Sequence, residues 1–298
     1  MSDTKVTKKA KVSPLSISLF TVLVVYCAII AFIFAWMIIT ASKDYWMDYY
    51  SDDELIRLPN VIGLPKKFAL FTNLKEINNG FPDFTLVDTV WNSILYSVGC
   101  ALSKVTVTCL VAYLCARYEN WFSRLIYSIV VVSMIIPIVG SQAAEIQMAM
   151  SLGLHNKIWG MWVMRSNFLG LYFLVFYAVF KSMPKGYYEA AKIDGANDMQ
   201  IMCRMAFPLV KYTFWSIFLI VFIEYWNDYL VPNLFIPKYP TLSLALWYQQ
   251  AGKVTDQTLQ EMPYMMTSAL LVTVPMVVLF AVFSKRLMGN LSVGGLKG

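Results

Sequence analysis

Four ionisable side chains lie within strongly apolar stretches of the sequence, at Lys104, Glu145, Glu224 and Asp228. On insertion scales a charge near the centre of a membrane helix costs about 2.5 to 3.5 kcal/mol, so each should face water or the interior of a helix bundle. Gln142 precedes Glu145 by three residues and shares its helical face. These groups suit either hydrogen bonds between helices or the lining of a polar path across a membrane.

The stretch from Phe222 to Leu230 places Glu224, Trp226, Asn227 and Asp228 among further aromatic residues. Carboxylates and amides can hydrogen-bond the hydroxyls of a sugar, while an aromatic ring covers its C–H surface. The same composition is typical of the aromatic belt at a membrane interface, and composition alone favours the belt. Both interpretations stay open at this point.

The elements that would position these residues are membrane helices. Of the 298 residues, 58% are hydrophobic and only 14% are charged, which excludes an ordinary soluble domain. We therefore predict an all-α integral membrane protein, with residues 1–298 forming a single domain of six spans. The predicted spans cover about 15–41, 89–116, 125–150, 159–180, 212–230 and 262–284. The first is too long for the core of a signal peptide and should be retained.

The distribution of cations predicts the orientation. With an internal N-terminus, the cytoplasmic segments hold 14 Lys and Arg residues, and the external segments hold 9 when Arg165, inside the predicted span 159–180, is counted with them. The positive-inside rule then places both termini, including the tail 1–14, and the polar segment 181–211 in the cytoplasm, and segment 43–88 outside. The net charge of +6 largely reflects this asymmetry, so we expect a lipid bilayer as the surroundings and no nucleic-acid partner.

Catalytic motifs are missing from the sequence. It has no G-x-x-x-x-G-K-[ST] phosphate loop, one histidine, and five cysteines without a C-x-x-C pair. Metal hydrolysis and Ser-His-Asp chemistry lack their parts. We expect no catalytic residue, no metal and no bound cofactor in this chain, and any ATP must be hydrolysed by another chain.

Segment 181–211 separates two apolar stretches and is the most informative part of the chain. Pro184 suits the first turn of a helix over 187–193, and Gly195 should bend or end that helix. Residues 196–206 mix apolar and charged side chains, as expected of a second short helix at a membrane surface. From composition alone, a simple connecting hairpin is about equally compatible.

Three short motifs in this segment carry a resemblance. Glu189-Ala190-Ala191, Asp194-Gly195-Ala196 and Pro208-Leu209 resemble the EAA loop of ABC importer permeases, the cytoplasmic element that docks on the ATPase. The resemblance implies contact with the ATPase at Glu189, Ala190, Ala191, Asp194, Gly195, Ala196, Pro208, and the C-terminal Lys297 and Gly298.

Further motifs are similar to the six-span permeases of carbohydrate importers, close to the maltose type. The main one is Trp226-Asn227-Asp228, and others are Asn92-Ser93, Ala112-Tyr113 with Arg117, Pro137, Gly153-Leu154-His155-Asn156 and the tail from Lys285 to Gly298. A departure is Tyr212, where the family often has a proline. The resemblance implies a substrate path that includes Gln142, Glu145, Glu224, Trp226, Asn227 and Asp228.

The resemblance also implies the partners and location. A second, homologous permease would complete the pore in a bacterial cell membrane, and an extracytoplasmic binding protein would deliver a sugar or oligosaccharide. Two ATPase subunits would use ATP and Mg²⁺ to drive transport.

Two other classes of protein are alternatives to a permease subunit. An ion-coupled secondary transporter would carry protons on Glu145 or Asp228 and should show repeated halves, but no convincing repeat is visible. An intramembrane enzyme lacks a credible nucleophile and base.

Overall fold

The structure is a computed structural model that describes residues 14–45, 63–136 and 140–291, without the side chains of Lys185 and residues 284–291. Within these ranges it contains thirteen α-helices and no strand, which confirms the predicted all-α class. Pro137, Lys297 and Gly298, together with most of segment 43–62, lie outside the described residues. The chain divides into two compact units, residues 1–76 with 258–270, and residues 77–257 with 271–298.

The smaller unit is built on the first helix, α1 (Pro14–Ala41), with most of α2 (Leu70–Asn79). α1 is apolar on every face and exposed along most of its length, as expected of a membrane helix. At its C-terminal end, the backbone amides of Ser42 and Lys43 donate to the carbonyls of the last turn, and side chains satisfy the carbonyl of Ala41. The Asn73 amide donates to the carbonyls of Ala41 and Lys43, both at 2.9 Å, and the Thr267 hydroxyl donates to that of Ala41 at 3.1 Å.

The larger unit is organised around α3 (Leu86–Arg117), which begins with a capping box between Thr85 and Asp88. Small residues such as Ser93, Ala101 and Ala112 are buried along α3 and allow neighbouring helices to approach closely. Five helices pack on it, namely α4 (Trp121–Ile135), α6 (Ile158–Met164), α7 (Leu171–Lys181), α10 (Phe207–Asn227) and α12 (Leu242–Gln250). The remaining helices are α5 (Gln142–Ser151), α8 (Lys185–Ile193), α9 (Asp198–Ile201), α11 (Leu230–Phe235) and α13 (Met262–Leu291).

Among the described residues, four helices are long and apolar enough to cross a membrane, over Pro14–Ala41, Leu86–Arg117, Asp198–Asn227 and Met262–Phe283. The predicted third span, 125–150, is instead α4 followed by α5, and the predicted fourth, 159–180, is α6 followed by α7. α4 ends at Ile135, and the following Ile136 is extended, as expected of a residue before proline. α6 ends at Met164, and Gly170, with φ +116°, is the residue that precedes α7.

The predicted fifth span also differs. The sequence predicts a separate short helix over 196–206 and a span over 212–230, whereas the structure has α9, a π-helical turn (Met202–Ala206) and α10 in direct succession. The amide of Phe207 donates to the carbonyl of Met202, five residues back. Pro208, which has no N–H, therefore follows a wider turn and does not break the helix. The helix passes through Tyr212 and ends at Asn227.

Candidate functional site

Six of the predicted coupling residues, at 189–191 and 194–196, lie on α8 and the turn that follows it, and Pro208 lies at the start of α10. The amide of Gly195 donates to the Lys192 carbonyl and that of Ala196 to the Ala191 carbonyl, both at 3.0 Å. This is a Schellman motif, which needs a left-handed residue after the helix, and Gly195 has φ +80°. The sequence-based prediction that Gly195 ends this helix therefore has a clear backbone reason.

Tyr188 attaches α8 to the end of α3. Its side chain is buried, the guanidinium carbon of Arg117 lies 4.4 Å from its ring centroid, and the Tyr113 ring lies 6.5 Å away. Burial raises the pKa of Tyr188, and the positive charge of Arg117 partly opposes that rise. The neighbouring Glu189 and Ala190 are exposed. The buried ring thus orients α8 so that Glu189 faces outward.

A second set of polar contacts joins the turn to α9. The Lys192 ammonium lies 3.3 Å from a carboxylate oxygen of Asp198. The Tyr118 hydroxyl, just after α3, also donates to Asp198, and burial together with this hydrogen bond raises the Tyr118 pKa. Asn197 caps α9 through a reciprocal pair of hydrogen bonds with Gln200, at 2.8 and 3.0 Å. α8 is therefore held at its middle by Tyr188 and at its C-terminal end by Lys192.

Apolar side chains are exposed along the same segment. Ile193 is 86% exposed, Met199 64% and Leu209 57%, and Pro208 and Asp194 are also exposed. Exposed apolar side chains of this kind mark a surface that contacts protein or membrane. Ala191 and Ala196 are half-buried beneath them.

The first of the predicted path residues, Glu145, pairs with Arg165. The Arg165 guanidinium lies 3.7 Å from one Glu145 oxygen, and the Ser141 hydroxyl donates to the other at 2.8 Å. Glu145 lies in the first turn of α5 and Arg165 caps the end of α6, so the pair joins the two broken helices. Arg165 also lies 5.5 Å from the centroid of the Phe235 ring. Gln142 is exposed at the start of α5 and takes no part in this pair.

Glu224 and Asp228 each accept a hydrogen bond from a tyrosine of another helix. The Tyr172 hydroxyl donates to Glu224 at 2.6 Å, and the Tyr96 hydroxyl donates to Asp228 at 3.1 Å. The Lys104 ammonium lies 5.8 Å from the Tyr172 ring centroid, within range of a cation–π contact. One region of the larger unit thus holds two cations and three carboxylates from the predicted spans, namely Lys104, Arg165, Glu145, Glu224 and Asp228.

The remaining two path candidates, Trp226 and Asn227, have different environments. The Trp226 side chain is only 3% exposed, and its indole N–H donates to the Val272 carbonyl at 3.1 Å. The indole is thus held against α13 in this chain, and a place for Trp226 on the substrate path stays a prediction. Asn227 is exposed, and its amide donates to the Ile223 carbonyl of its own helix at 2.9 Å.

Sequence reasoning missed Arg165, Tyr96 and Tyr172. A signal existed for Arg165, because it is a charged residue inside the predicted span 159–180. No sequence signal linked the two tyrosines to their carboxylates, because Asp228 is 132 residues from Tyr96 and Glu224 is 52 residues from Tyr172. Among the described residues, no group of three or more His, Cys, Asp or Glu side chains could hold a metal.

Comparisons with known proteins identify the class. Residues 108–292 match the family described as binding-protein-dependent transport system inner membrane component. This match covers more than half of the chain, so the chain belongs to that family of permease subunits. It is a multi-pass membrane protein and, as a transport subunit, is not itself an enzyme.

Individual relatives are moderately similar. The melibiose/raffinose/stachyose import permease protein MelC of Bacillus subtilis is 28% identical over 211 residues, covering 70% of this chain and 75% of MelC. The diacetylchitobiose uptake system permease protein NgcG of Streptomyces coelicolor is 24% identical over 271 residues, 89% of this chain and 86% of NgcG. The sn-glycerol-3-phosphate transport system permease protein UgpE of Escherichia coli is 26% identical over 200 residues, 67% of this chain and 70% of UgpE.

A solved structure shares the fold. It is the crystal structure of a bacterial ABC transporter involved in the import of the acidic polysaccharide alginate, with a TM-score of 0.73 and 19% identity. The similarity covers 93% of this chain and 99% of that one, so the fold extends over nearly the whole protein.

Proposed function

We propose that this chain forms half of the translocation pathway of an ATP-driven importer for a sugar or oligosaccharide. The observation that carries the proposal is the family match over residues 108–292, which contains the whole α8 segment with its exposed Glu189. MelC and NgcG are both named for the uptake of oligosaccharides, and they align with 70% and 89% of this chain. An extracytoplasmic binding protein and a second permease complete the proposed system.

We further propose six crossings, two of them made of paired helices. α4 has 15 residues and a length of about 22 Å, too short for the roughly 30 Å hydrocarbon core. α5 would complete that crossing, and α6 with α7 would form the next. Broken helices occur at membrane depth where the backbone is buried in protein or lines an aqueous cavity. The Glu145–Arg165 pair at the breaks therefore favours a path beside these residues.

The energy would come from partner subunits. Glu189, Ala190 and Asp194 form the exposed surface that docks on an ATPase, and the ATPase binds ATP and Mg²⁺. A helix that fits a groove of the ATPase moves together with it. Closure of the ATPase pair would therefore shift α8 as a unit. The contribution of Lys297 and Gly298 remains a prediction, as does a cytoplasmic location for both termini.

The test is purification of the tagged chain from its own cells, followed by identification of the co-purifying proteins and uptake assays in proteoliposomes. We expect an ATPase and a second permease in the complex, and ATP-dependent uptake of an α-galactoside or a chitin disaccharide once the binding protein is added. Uptake of glycerol 3-phosphate alone would contradict the sugar assignment, given the similarity to UgpE. Uptake that follows an imposed proton gradient and ignores ATP depletion would favour an ion-coupled transporter.

A further inference from the structure

A cavity of about 210 Å³ lies where the ends of α3, α4 and α7 meet. Its walls include Glu119, Arg124, Tyr127, Tyr177 and Lys181. Because α7 leads directly into the α8 segment, the cavity is at the same end of the spans as the proposed ATPase contact. None of the transport functions described above uses it.

The cavity has an excess of one positive charge. Its lining holds one carboxylate, Glu119, against the cations Lys181 and Arg124, and the Lys181 ammonium lies 2.6 Å from a Glu119 oxygen. Arg124 is exposed, and among the described residues no carboxylate lies within ion-pair distance of it. Its guanidinium presents N–H donors in a planar fork that matches the oxygens of a phosphate.

The surroundings of the cavity are those of a membrane interface. The Tyr127 and Tyr177 rings lie 4.9 Å apart on its wall, and tyrosines gather at the headgroup level of a bilayer. The rest of α4 is apolar and open, with Phe122 59% exposed, Ile129 47% and Val132 49%. A ligand that combined an anionic head with hydrocarbon chains would therefore contact both surfaces at once.

We propose that this cavity binds the headgroup of an anionic phospholipid, with Arg124 holding the phosphodiester and the acyl chains lying along α4. One net positive charge matches the single negative charge of a phosphodiester such as that of phosphatidylglycerol. Free inorganic phosphate carries more negative charge and has no hydrocarbon chain to contact the apolar face of α4, so the lipid fits the cavity better. The predicted orientation places this end of the spans in the cytoplasmic leaflet.

The test uses the full chain, purified in mild detergent with the subunits that accompany it. Native mass spectrometry would count retained phosphatidylglycerol and phosphatidylcholine after equal exposure to both lipids. We expect a preference for phosphatidylglycerol that falls about fivefold in Arg124→Gln, since one surface cation contributes about 1 kcal/mol toward anionic lipid. Glu119→Gln should strengthen the preference, because it leaves the Lys181 charge without that carboxylate. Ser128→Phe should weaken it by filling the cavity.

Lys211→Gln is the matched control, since Lys211 is an exposed cation at the same end of the spans. An equal loss in Arg124→Gln and Lys211→Gln would show general attraction to the membrane surface and would overturn the site. Displacement of phosphatidylglycerol by millimolar inorganic phosphate would assign the cavity to a free anion. A photo-cross-linker at Tyr127 that labelled a second permease and no lipid would also overturn the proposal.

Discussion

Two adjacent residues of α8, Tyr188 and Glu189, have opposite environments, and this contrast gives the segment its proposed role. The Tyr188 ring is buried beside Arg117, while the Glu189 carboxylate is exposed. Since neighbouring residues on a helix point about 100° apart, burying one side chain of the pair turns the other away from the core. The Glu189 carboxylate is therefore accessible to a partner, and folding of this chain does not have to desolvate it.

Glu189→Lys should release the ATPase or abolish uptake. A hydrogen bond to a charged group contributes roughly 1.5 to 3 kcal/mol, so its loss alone weakens the complex about tenfold or more, and the reversed charge adds repulsion. Co-purification of the ATPase and uptake in whole cells measure the two effects. Asp83→Lys, an equal charge change at an exposed residue of the predicted external segment, is the control and should leave both unchanged. Wild-type ATPase binding in Glu189→Lys would make α8 a simple connector.

At the level of elements, pairs of short helices replace two of the six spans that hydropathy predicts. α8 ends in a Schellman motif at Gly195, and the breaks between α4 and α5 and between α6 and α7 meet at Glu145 and Arg165. The Schellman motif ends α8 through local hydrogen bonds, and the ion pair holds α5 against the end of α6. Changes at these turns should therefore affect transport more than changes within the helices.

Substitutions at Gly195 should rank by their tolerance of positive φ. Gly195→Asn should be the mildest, Gly195→Ala should cost about 1 to 2 kcal/mol in the local structure, and Gly195→Pro, which also removes an N–H donor, should be the most severe. ATPase retention on purification is the measurement. Gly186→Ala is the matched control, because Gly186 lies in α8 with open space where a Cβ would be added. Equal retention across the Gly195 series would show that the turn does not orient the contact surface.

Arg165→Gln should destabilise the chain more than the double substitution of Glu145→Gln with Arg165→Gln. The single change leaves the half-buried Glu145 carboxylate without its cation, whereas the double change removes both charges. We expect roughly 1 to 2 kcal/mol for the single variant, below the 3 to 5 kcal/mol of a fully buried pair, since both side chains are partly exposed. Thermal unfolding in detergent measures the difference. Additive effects of the two single changes would show that the pair does not couple α5 to α6.

For the whole molecule, the bilayer determines which surfaces are free. The described spans leave large apolar side chains exposed, as on α1 and α4, because lipid or a second permease takes the place of water. The 14 to 9 division of cations between the two sides then predicts how the chain is inserted.

The orientation is tested with single cysteines in a background that lacks the five native ones. Cysteines at Met199 and Lys253, both exposed, should react with an impermeant thiol reagent from opposite sides of the membrane. Lys253→Cys should react in intact cells and Met199→Cys only after permeabilisation. Equal labelling of both from outside would contradict the predicted topology. Cys100, which is buried, is the unreactive control when it is restored alone.

The sequence by itself determined the features that depend on chain-local chemistry. Apolar stretches of sufficient length predicted a membrane protein, and glycine at position 195 predicted the end of α8, because a left-handed turn strongly favours that residue. The three-part motif around Glu189 indicated the family. Each of these properties can be deduced from a few neighbouring residues.

Only the tertiary structure decided how the polar residues of the spans are used. It placed Trp226 in the packing and brought Arg165 to Glu145, Tyr96 to Asp228 and Tyr172 to Glu224. Hydropathy averages over a window and so cannot show where a helix breaks or which face it turns inward. Those outcomes depend on contacts between residues far apart in the chain, where packing of α3 against its neighbours outweighs local preference.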